Sequence, residues 1–230
     1  MQLYTFPDRQ ELVQQLAKRI GTALEKAITS CGQASLAVSG GSTPCQLFEQ
    51  LSCVDIPWQK VIITLVDERW VEPSSPDSNE LLVRQHFMQH RAAVATFIGL
   101  KNGAITAGQG EAECEQQLQK IPRPFTVLIL GMGNDGHTAS LFPEAEQLAL
   151  ATDMNSGKTC LAISPPDAAH ERMSLTLPAI LAAEELILHI TGQEKKDVLE
   201  KAENPGPSEA MPIRFILRQQ STPVTVFWAA

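Results

Sequence analysis

The chain has 230 residues, 43% of them hydrophobic and 19% charged, with a formal net charge of −8. This composition is typical of a folded globular protein and argues against extended disorder. The acidic balance, without any block of Lys and Arg, disfavours binding to nucleic acid or to an anionic membrane surface. An anionic ligand would therefore need a local cluster of cations or backbone N–H groups.

The cysteines are odd in number, scattered and without a CxxC spacing: Cys31, Cys45, Cys53, Cys114 and Cys160. They predict reduced thiols, not a disulfide framework or a zinc site. The first residues resemble no export signal, and no run of about 18 apolar residues occurs, so we expect a cytoplasmic protein without a membrane span.

Strand and helix patterns alternate along the chain. In order, we predict a helix over 7–31, a strand over 34–39, a helix over 45–51, a strand over 61–66, a helix over 80–90, a strand over 96–100, a helix over 111–120 and a strand over 125–130. A helix is expected to begin near His137, followed by strands over 159–164 and 185–191, a short helix from Pro178, a helix from Gly192 to about 203, and a final edge strand over 223–228. This order predicts one α/β domain, 1–230, with a mainly parallel sheet and helices on both faces.

Three predicted strands end in residues that are typical of ligand sites. Residues 39–44 read SGGSTP and offer small side chains, hydroxyls and N–H groups at a helix start, which suits a phosphate or carboxylate. Asp67, Glu68 and Arg69 follow the next strand. His137 follows the strand over 125–130, where open α/β sheets bind ligands. Each group also has an explanation that involves no ligand: a tight turn, a solvated charge patch, or a histidine that bonds only neighbouring residues.

Other patterns lead to weaker hypotheses. Gly131, Gly133 and Gly136 spell GxGxxG, but Pro143 follows too closely for the full helix of a dinucleotide site. His86 and His90 lie four residues apart without a third metal ligand, which favours a solvated helix face. No GxSxG nucleophile motif occurs. Residues 72–79 read as an irregular loop that could act as a lid.

Five motifs in order resemble those of the 6-phosphogluconolactonases: SGGSTP at 39–44, VDERWV with DSN between 66 and 79, GMGNDGHTASLFP at 131–143, ERMSLTLP at 171–178 and TGQEK at 191–195. The related glucosamine-6-phosphate isomerase/deaminases, with a Rossmann-like three-layer fold, carry a different continuation of the third motif and usually an aromatic residue where this chain has Arg69. Both differences favour a resemblance to the 6-phosphogluconolactonases over the deaminases. Ser174 departs from the more frequent Thr but keeps the hydroxyl.

The resemblance implies hydrolysis of 6-phospho-D-glucono-1,5-lactone to 6-phosphogluconate in the oxidative pentose phosphate pathway, without cofactor or metal. It implies His137 as general base, and we place Asp135 beside it in the catalytic set. The expected substrate-binding residues are Ser39, Gly40, Gly41, Ser42, Thr43, Asp67, Arg69, Arg172 and Lys195. Arg214 is left out of the site. We expect no nucleic-acid, membrane or obligate protein partner. A glucosamine-6-phosphate deaminase and a non-catalytic sugar-phosphate sensor remain as alternatives.

Overall fold

The computed structural model describes residues 1–230, with ten strands, eight α-helices and two short 3₁₀ segments. The strands are β1 (Gln2–Phe6), β2 (Ala34–Val38), β3 (Val61–Leu65), β4 (Asp67–Arg69), β5 (Thr96–Ile98), β6 (Val127–Leu130), β7 (Cys160–Ile163), β8 (Arg172–Leu175), β9 (Leu186–Thr191) and β10 (Val224–Ala229). The helices are α1 (Arg9–Cys31), α2 (Cys45–Ser52), α3 (Asn79–His86), α4 (Ala107–Leu118), α5 (Leu148–Thr152), α6 (Leu177–Leu181), α7 (Gln193–Glu203) and α8 (Ile213–Arg218). No helix is long and apolar enough to cross a membrane.

Seven strands form a parallel sheet in the order β1-β10-β9-β6-β2-β3-β5. The chain proceeds outward from β2 to β3 and β5 on one side, and from β6 to β9 and β10 on the other. The direction of winding therefore reverses between β2 and β6, which creates a crevice at their carboxyl ends. The predicted mainly parallel α/β fold is confirmed, with the helices packed around the sheet.

A smaller antiparallel sheet, in the order β4-β8-β7, adjoins the carboxyl edge of the large sheet. Val66 joins the two sheets, because its N–H donates to Val38 O (2.9 Å) and its O accepts from Leu175 N (2.8 Å). The strand register then sets Asp67 opposite Ser174 and Arg69 opposite Arg172. The charged residues that follow β3 are thereby held in an ordered strand above the crevice.

The buried apolar side chains form one cluster that includes the large sheet and the inner faces of the helices. In α1, buried residues recur at helical spacing, with Leu12, Leu16, Ile20 and Leu24 fully buried. Asp8 caps the start of this helix by accepting from Glu11 N, and Gly32 ends it in a left-handed conformation (φ 81°).

The structure corrects two expectations. Residues 223–228 were predicted to form an edge strand, yet β10 lies between β9 and β1. β1 was not predicted, because residues 2–6 lack a continuous apolar run. In the structure three of its five residues are exposed. No helix begins at His137 either; residues 131–147 form turns, and Ala139 and Glu144 have φ values of 49° and 62°, which a helix does not accommodate.

Candidate active site

A cavity of about 320 Å³ opens at the reversal point between β2 and β6. Most of the predicted site residues line it together: Ser39, Gly40, Gly41, Ser42, Thr43, Asp67, Arg69, His137 and Lys195. Asp135 contacts His137 from beside the cavity, whereas Arg172 is paired with Arg69 across β8 and β4 and is not part of the lining. The structure thus brings four widely separated sequence motifs to one small-molecule site.

The turn after β2 presents backbone donors to this cavity. The N–H groups of residues 40–43 make no hydrogen bond within the protein, and α2 begins directly afterwards. Gly41 has a φ of 95°, which favours glycine, and a Cβ on Gly40 would stand 1.9 Å from Asn79 Oδ1. Ser39 has another role, since its Oγ donates to Ile129 O (3.0 Å) and accepts from Gly131 N (3.1 Å), which ties β2 to β6.

The loop after β6 is folded by its own polar groups. Asp135 Oδ1 accepts from His137 N (3.0 Å), an Asx-type turn. Gly133 N donates to His137 O (2.8 Å), and Thr138 Oγ1 donates to Gly131 O (2.8 Å). These bonds replace the expected helix and fix the backbone on both sides of His137.

The imidazole of His137 is oriented on two sides. Its Nδ1 lies 2.6 Å from Asp135 Oδ1, and its ring packs at 4.4 Å between centroids against Phe142. Burial tends to raise the pKa of Asp135, but hydrogen bonds from the His137 side chain and backbone outweigh it and hold the pKa below its usual value. The carboxylate is therefore charged and fixes the ring, which leaves Nε2 as the nitrogen available for proton transfer.

Cationic side chains lie on two sides of the cavity. Arg69 Nη1 donates to Asp77 O (2.6 Å), which keeps the guanidinium against the loop before α3. Lys195, in the first turn of α7, contacts Asn134 Oδ1, and burial lowers the pKa of its ammonium group. Burial and the neighbouring charge of Arg69 also lower the pKa of Arg172, whose Nη1 is buried without a hydrogen-bond partner. Two adjacent arginines of this kind favour an anion nearby.

Two polar networks hold the lining in place. The buried carboxylate of Glu68 accepts from Ser78 Oγ (3.1 Å) and from the N–H groups of Arg69, Asn79 and Glu80 (2.7–2.8 Å). It joins β4 to the start of α3, and burial nevertheless raises its pKa. Separately, Asp67 Oδ2 accepts from Ser140 Oγ (2.7 Å), and Ser140 N donates to Ser174 Oγ (3.2 Å).

Sequence reasoning missed some lining residues, and Arg214, which it left out of the site, does not line the cavity. Asn79 and His189 line the cavity; Asn79 belongs to the DSN motif, whereas His189 lies in the apolar run of β9. Arg214 lies elsewhere, buried and donating to the carbonyls of Lys201, Ala202, Asn204 and Pro207. Arg214 thereby bonds carbonyl groups in the last turn of α7. No group of three or more His, Cys, Asp or Glu side chains is arranged to hold a metal ion.

Comparison with known proteins gives a consistent result. Residues 7–228 match the family model for glucosamine-6-phosphate isomerases/6-phosphogluconolactonase. A curated 6-phosphogluconolactonase of Mesorhizobium japonicum is 44% identical over 97% of this chain and 93% of its own. The crystal structure of a 6-phosphogluconolactonase from Shewanella baltica OS155 superimposes with a TM-score of 0.98 and 46% identity, covering 100% of this chain and 98% of that one. A monomeric glucosamine-6-phosphate deaminase shares the fold, with a TM-score of 0.80 at 16% identity. The chain therefore belongs to the family of glucosamine-6-phosphate isomerases and 6-phosphogluconolactonases.

Proposed function

We propose that this chain hydrolyses 6-phospho-D-glucono-1,5-lactone to 6-phospho-D-gluconate, the second step of the oxidative pentose phosphate pathway. One observation carries the mechanism: a carboxylate-oriented imidazole and a turn of uncommitted N–H groups line the same cavity. A curated 6-phosphogluconolactonase at 44% identity and the crystal structure of another at 46% identity, each matched over nearly the whole chain, support the substrate. The cavity volume suits one phosphorylated sugar lactone.

In this proposal the 6-phosphate lies against the turn at 40–43. Its oxygens accept from the backbone N–H groups, as anions commonly do at a glycine turn before a helix. Arg69 and Lys195 supply positive charge from two other elements of the lining. Arg172, the cross-strand partner of Arg69, adds to the positive potential without being part of the lining. This local arrangement overcomes the net charge of −8.

The chemistry then needs one base. His137 Nε2 takes a proton from water as the water oxygen attacks the C1 carbonyl, and the resulting imidazolium is stabilised by Asp135. When the tetrahedral intermediate collapses, the bond from C1 to the ring oxygen breaks and His137 returns the proton to that oxygen. The products are a carboxylate, after loss of the acid proton to solvent, and a free hydroxyl group.

The developing oxyanion has one candidate donor in the histidine loop. Of the N–H groups of residues 136–138, that of Gly136 bonds to Gly133 O and that of His137 bonds to Asp135. Thr138 pairs with Leu141 in an isolated antiparallel bridge, but its N–H makes no hydrogen bond of good geometry within the protein. We assign it to the oxyanion, since a preorganised backbone donor needs no reorganisation as charge develops.

The test generates the lactone in situ with a glucose-6-phosphate dehydrogenase and follows its disappearance. The protein is expected to accelerate hydrolysis well above the spontaneous rate. No acceleration would refute the proposal; release of ammonia from glucosamine 6-phosphate would favour a deaminase, and saturable phosphosugar binding without turnover would favour a sensor. The cytoplasmic location, the single domain and the lack of an obligate protein partner stay predictions.

A further inference from the structure

His189 is a buried imidazole in the cavity lining that the mechanism above does not use. The large sheet contributes four residues to the lining, Ile129, Leu130, His189 and Ile190, and His189 is the polar one among them. It lies on β9, beside the strand that precedes the His137 loop. The residue is only 3% exposed.

Neither ring nitrogen of His189 has a hydrogen-bond partner in the protein. A buried polar group without a partner destabilises the folded state, because its hydrogen bonds to water are lost without replacement. An apolar residue of similar size would avoid this penalty at a strand position whose neighbours Leu188 and Ile190 are apolar. Among the other cavity residues, Asn79 Oδ1 is also buried without a partner, whereas Ser39 Oγ and Asp67 Oδ2 are bonded within the protein. Neither ring nitrogen is solvent-accessible in this structure, so His189 can bond a ligand in the cavity only when its ring turns toward that ligand.

The chemistry of the imidazole ring indicates which group of a ligand it would bond. Burial lowers the pKa of His189 to about 4, so the ring is neutral at physiological pH and offers one donor and one acceptor. A phosphate dianion has no proton to give to the acceptor and is better held by Arg69, Lys195 and the N–H groups of the turn. A hydroxyl group both donates and accepts, and it matches a neutral imidazole.

We propose that His189 is a specificity-determining residue that hydrogen-bonds a hydroxyl group of the bound phosphosugar. This inference rests on the proposed function, since it concerns the polyol part of the same ligand. It divides the cavity into a cationic part that binds phosphate and a neutral part that recognises the hydroxylated carbon chain. His189 takes no part in proton transfer to the lactone.

Equilibrium binding separates these parts, with 6-phospho-D-gluconate and inorganic phosphate as probes in isothermal titration calorimetry. We expect His189→Phe, which fills the same space without polar atoms, to weaken 6-phosphogluconate binding about tenfold, or about 1.4 kcal/mol. Phosphate binding is expected to stay within about twofold of wild type. His189→Gln, which keeps a donor and an acceptor, should recover part of the lost affinity. Arg69→Ala should weaken both ligands.

Ile187→Val is the matched control, because Ile187 is buried on the same strand but does not line the cavity. The inference is overturned if His189→Phe binds 6-phosphogluconate as wild type does, if it loses both ligands equally, or if Ile187→Val shows the same loss. It is also overturned if wild type does not bind 6-phosphogluconate. Absence of lactone turnover in wild type, with the His189-dependent binding intact, would refute the proposed function and leave this inference standing.

Discussion

Asp135→Asn offers a sharp test of how the His137 imidazole is controlled. The Asn side chain has nearly the same shape as Asp and keeps an oxygen that can accept from His137 N, so the turn that carries the histidine is preserved. The substitution removes the negative charge, which lies 2.6 Å from the ring nitrogen in wild type. It therefore separates charge from geometry.

The size of the effect follows from that contact. A hydrogen bond to a charged group contributes about 1.5–3 kcal/mol. Asp135 is 49% exposed, and solvent screening places its contribution near the lower end of that range. The imidazolium exists only after proton transfer, so the loss acts on the transition state more than on substrate binding. We expect kcat to fall about tenfold, since about 1.4 kcal/mol corresponds to one factor of ten, with KM within about twofold.

The assay is the disappearance of lactone generated in situ, corrected for spontaneous hydrolysis at each pH. Asp153→Asn is the matched control, because it removes the same charge from an exposed residue outside the cavity lining. Wild-type kcat in Asp135→Asn would refute the role given to the carboxylate. An effect confined to KM would place Asp135 in substrate binding instead.

The remaining predictions comprise two tested by the same lactone assay and one tested by urea unfolding. Gly133→Ala should reduce kcat strongly, because the new Cβ would stand 2.2 Å from His137 Nδ1 and displace the ring. Gly103→Ala is the control and should keep wild-type kcat, because its Cβ meets nothing within 4 Å. Equal activity of the two variants would contradict the position given to the His137 ring. Arg69→Ala should raise KM about tenfold or more by removing a charge-assisted phosphate contact. The control is Arg84→Ala, on the exposed face of α3. An unchanged KM in Arg69→Ala would argue against the phosphate contact. His189 has a folded-state pKa of about 4, below the value of about 6.5 in an unfolded chain, so the unfolded state binds the extra proton between these values and stability falls as pH falls through this window. Urea unfolding should show wild type losing about 2 kcal/mol more than His189→Phe between pH 7 and pH 5, and equal losses would show that the ring titrates normally.

The sequence was sufficient for the architecture because its main signals are local. Buried strands such as β3 and β6 are continuous apolar runs, and helices begin and end at recognisable residues such as Asp8 and Gly32. Polar groups at three strand ends also predicted a shared site, since parallel strands bring their carboxyl ends to one edge. The cavity lining agrees with that expectation for most of the residues named.

The other features depend on long-range packing. β1 is a mostly exposed edge strand that is stabilised by pairing with β10, more than 200 positions later in the chain. The residues after His137 have helix-compatible composition, but turns are favoured because Asp135 Oδ1 accepts from His137 N and Thr138 Oγ1 donates to Gly131 O. His189 looks like an interruption in an apolar strand, and only the order of β9 beside β6 reveals that it meets the cavity.

The most direct measurement compares lactone hydrolysis by wild type, His137→Ala and His86→Ala under identical conditions. His86 is a surface imidazole that bonds Glu49, and its loss should leave kcat unchanged. His137→Ala should lose most of kcat, roughly a hundredfold or more for removal of a general base, with a smaller change in KM. Full activity in His137→Ala would contradict the assignment of His137 as the base.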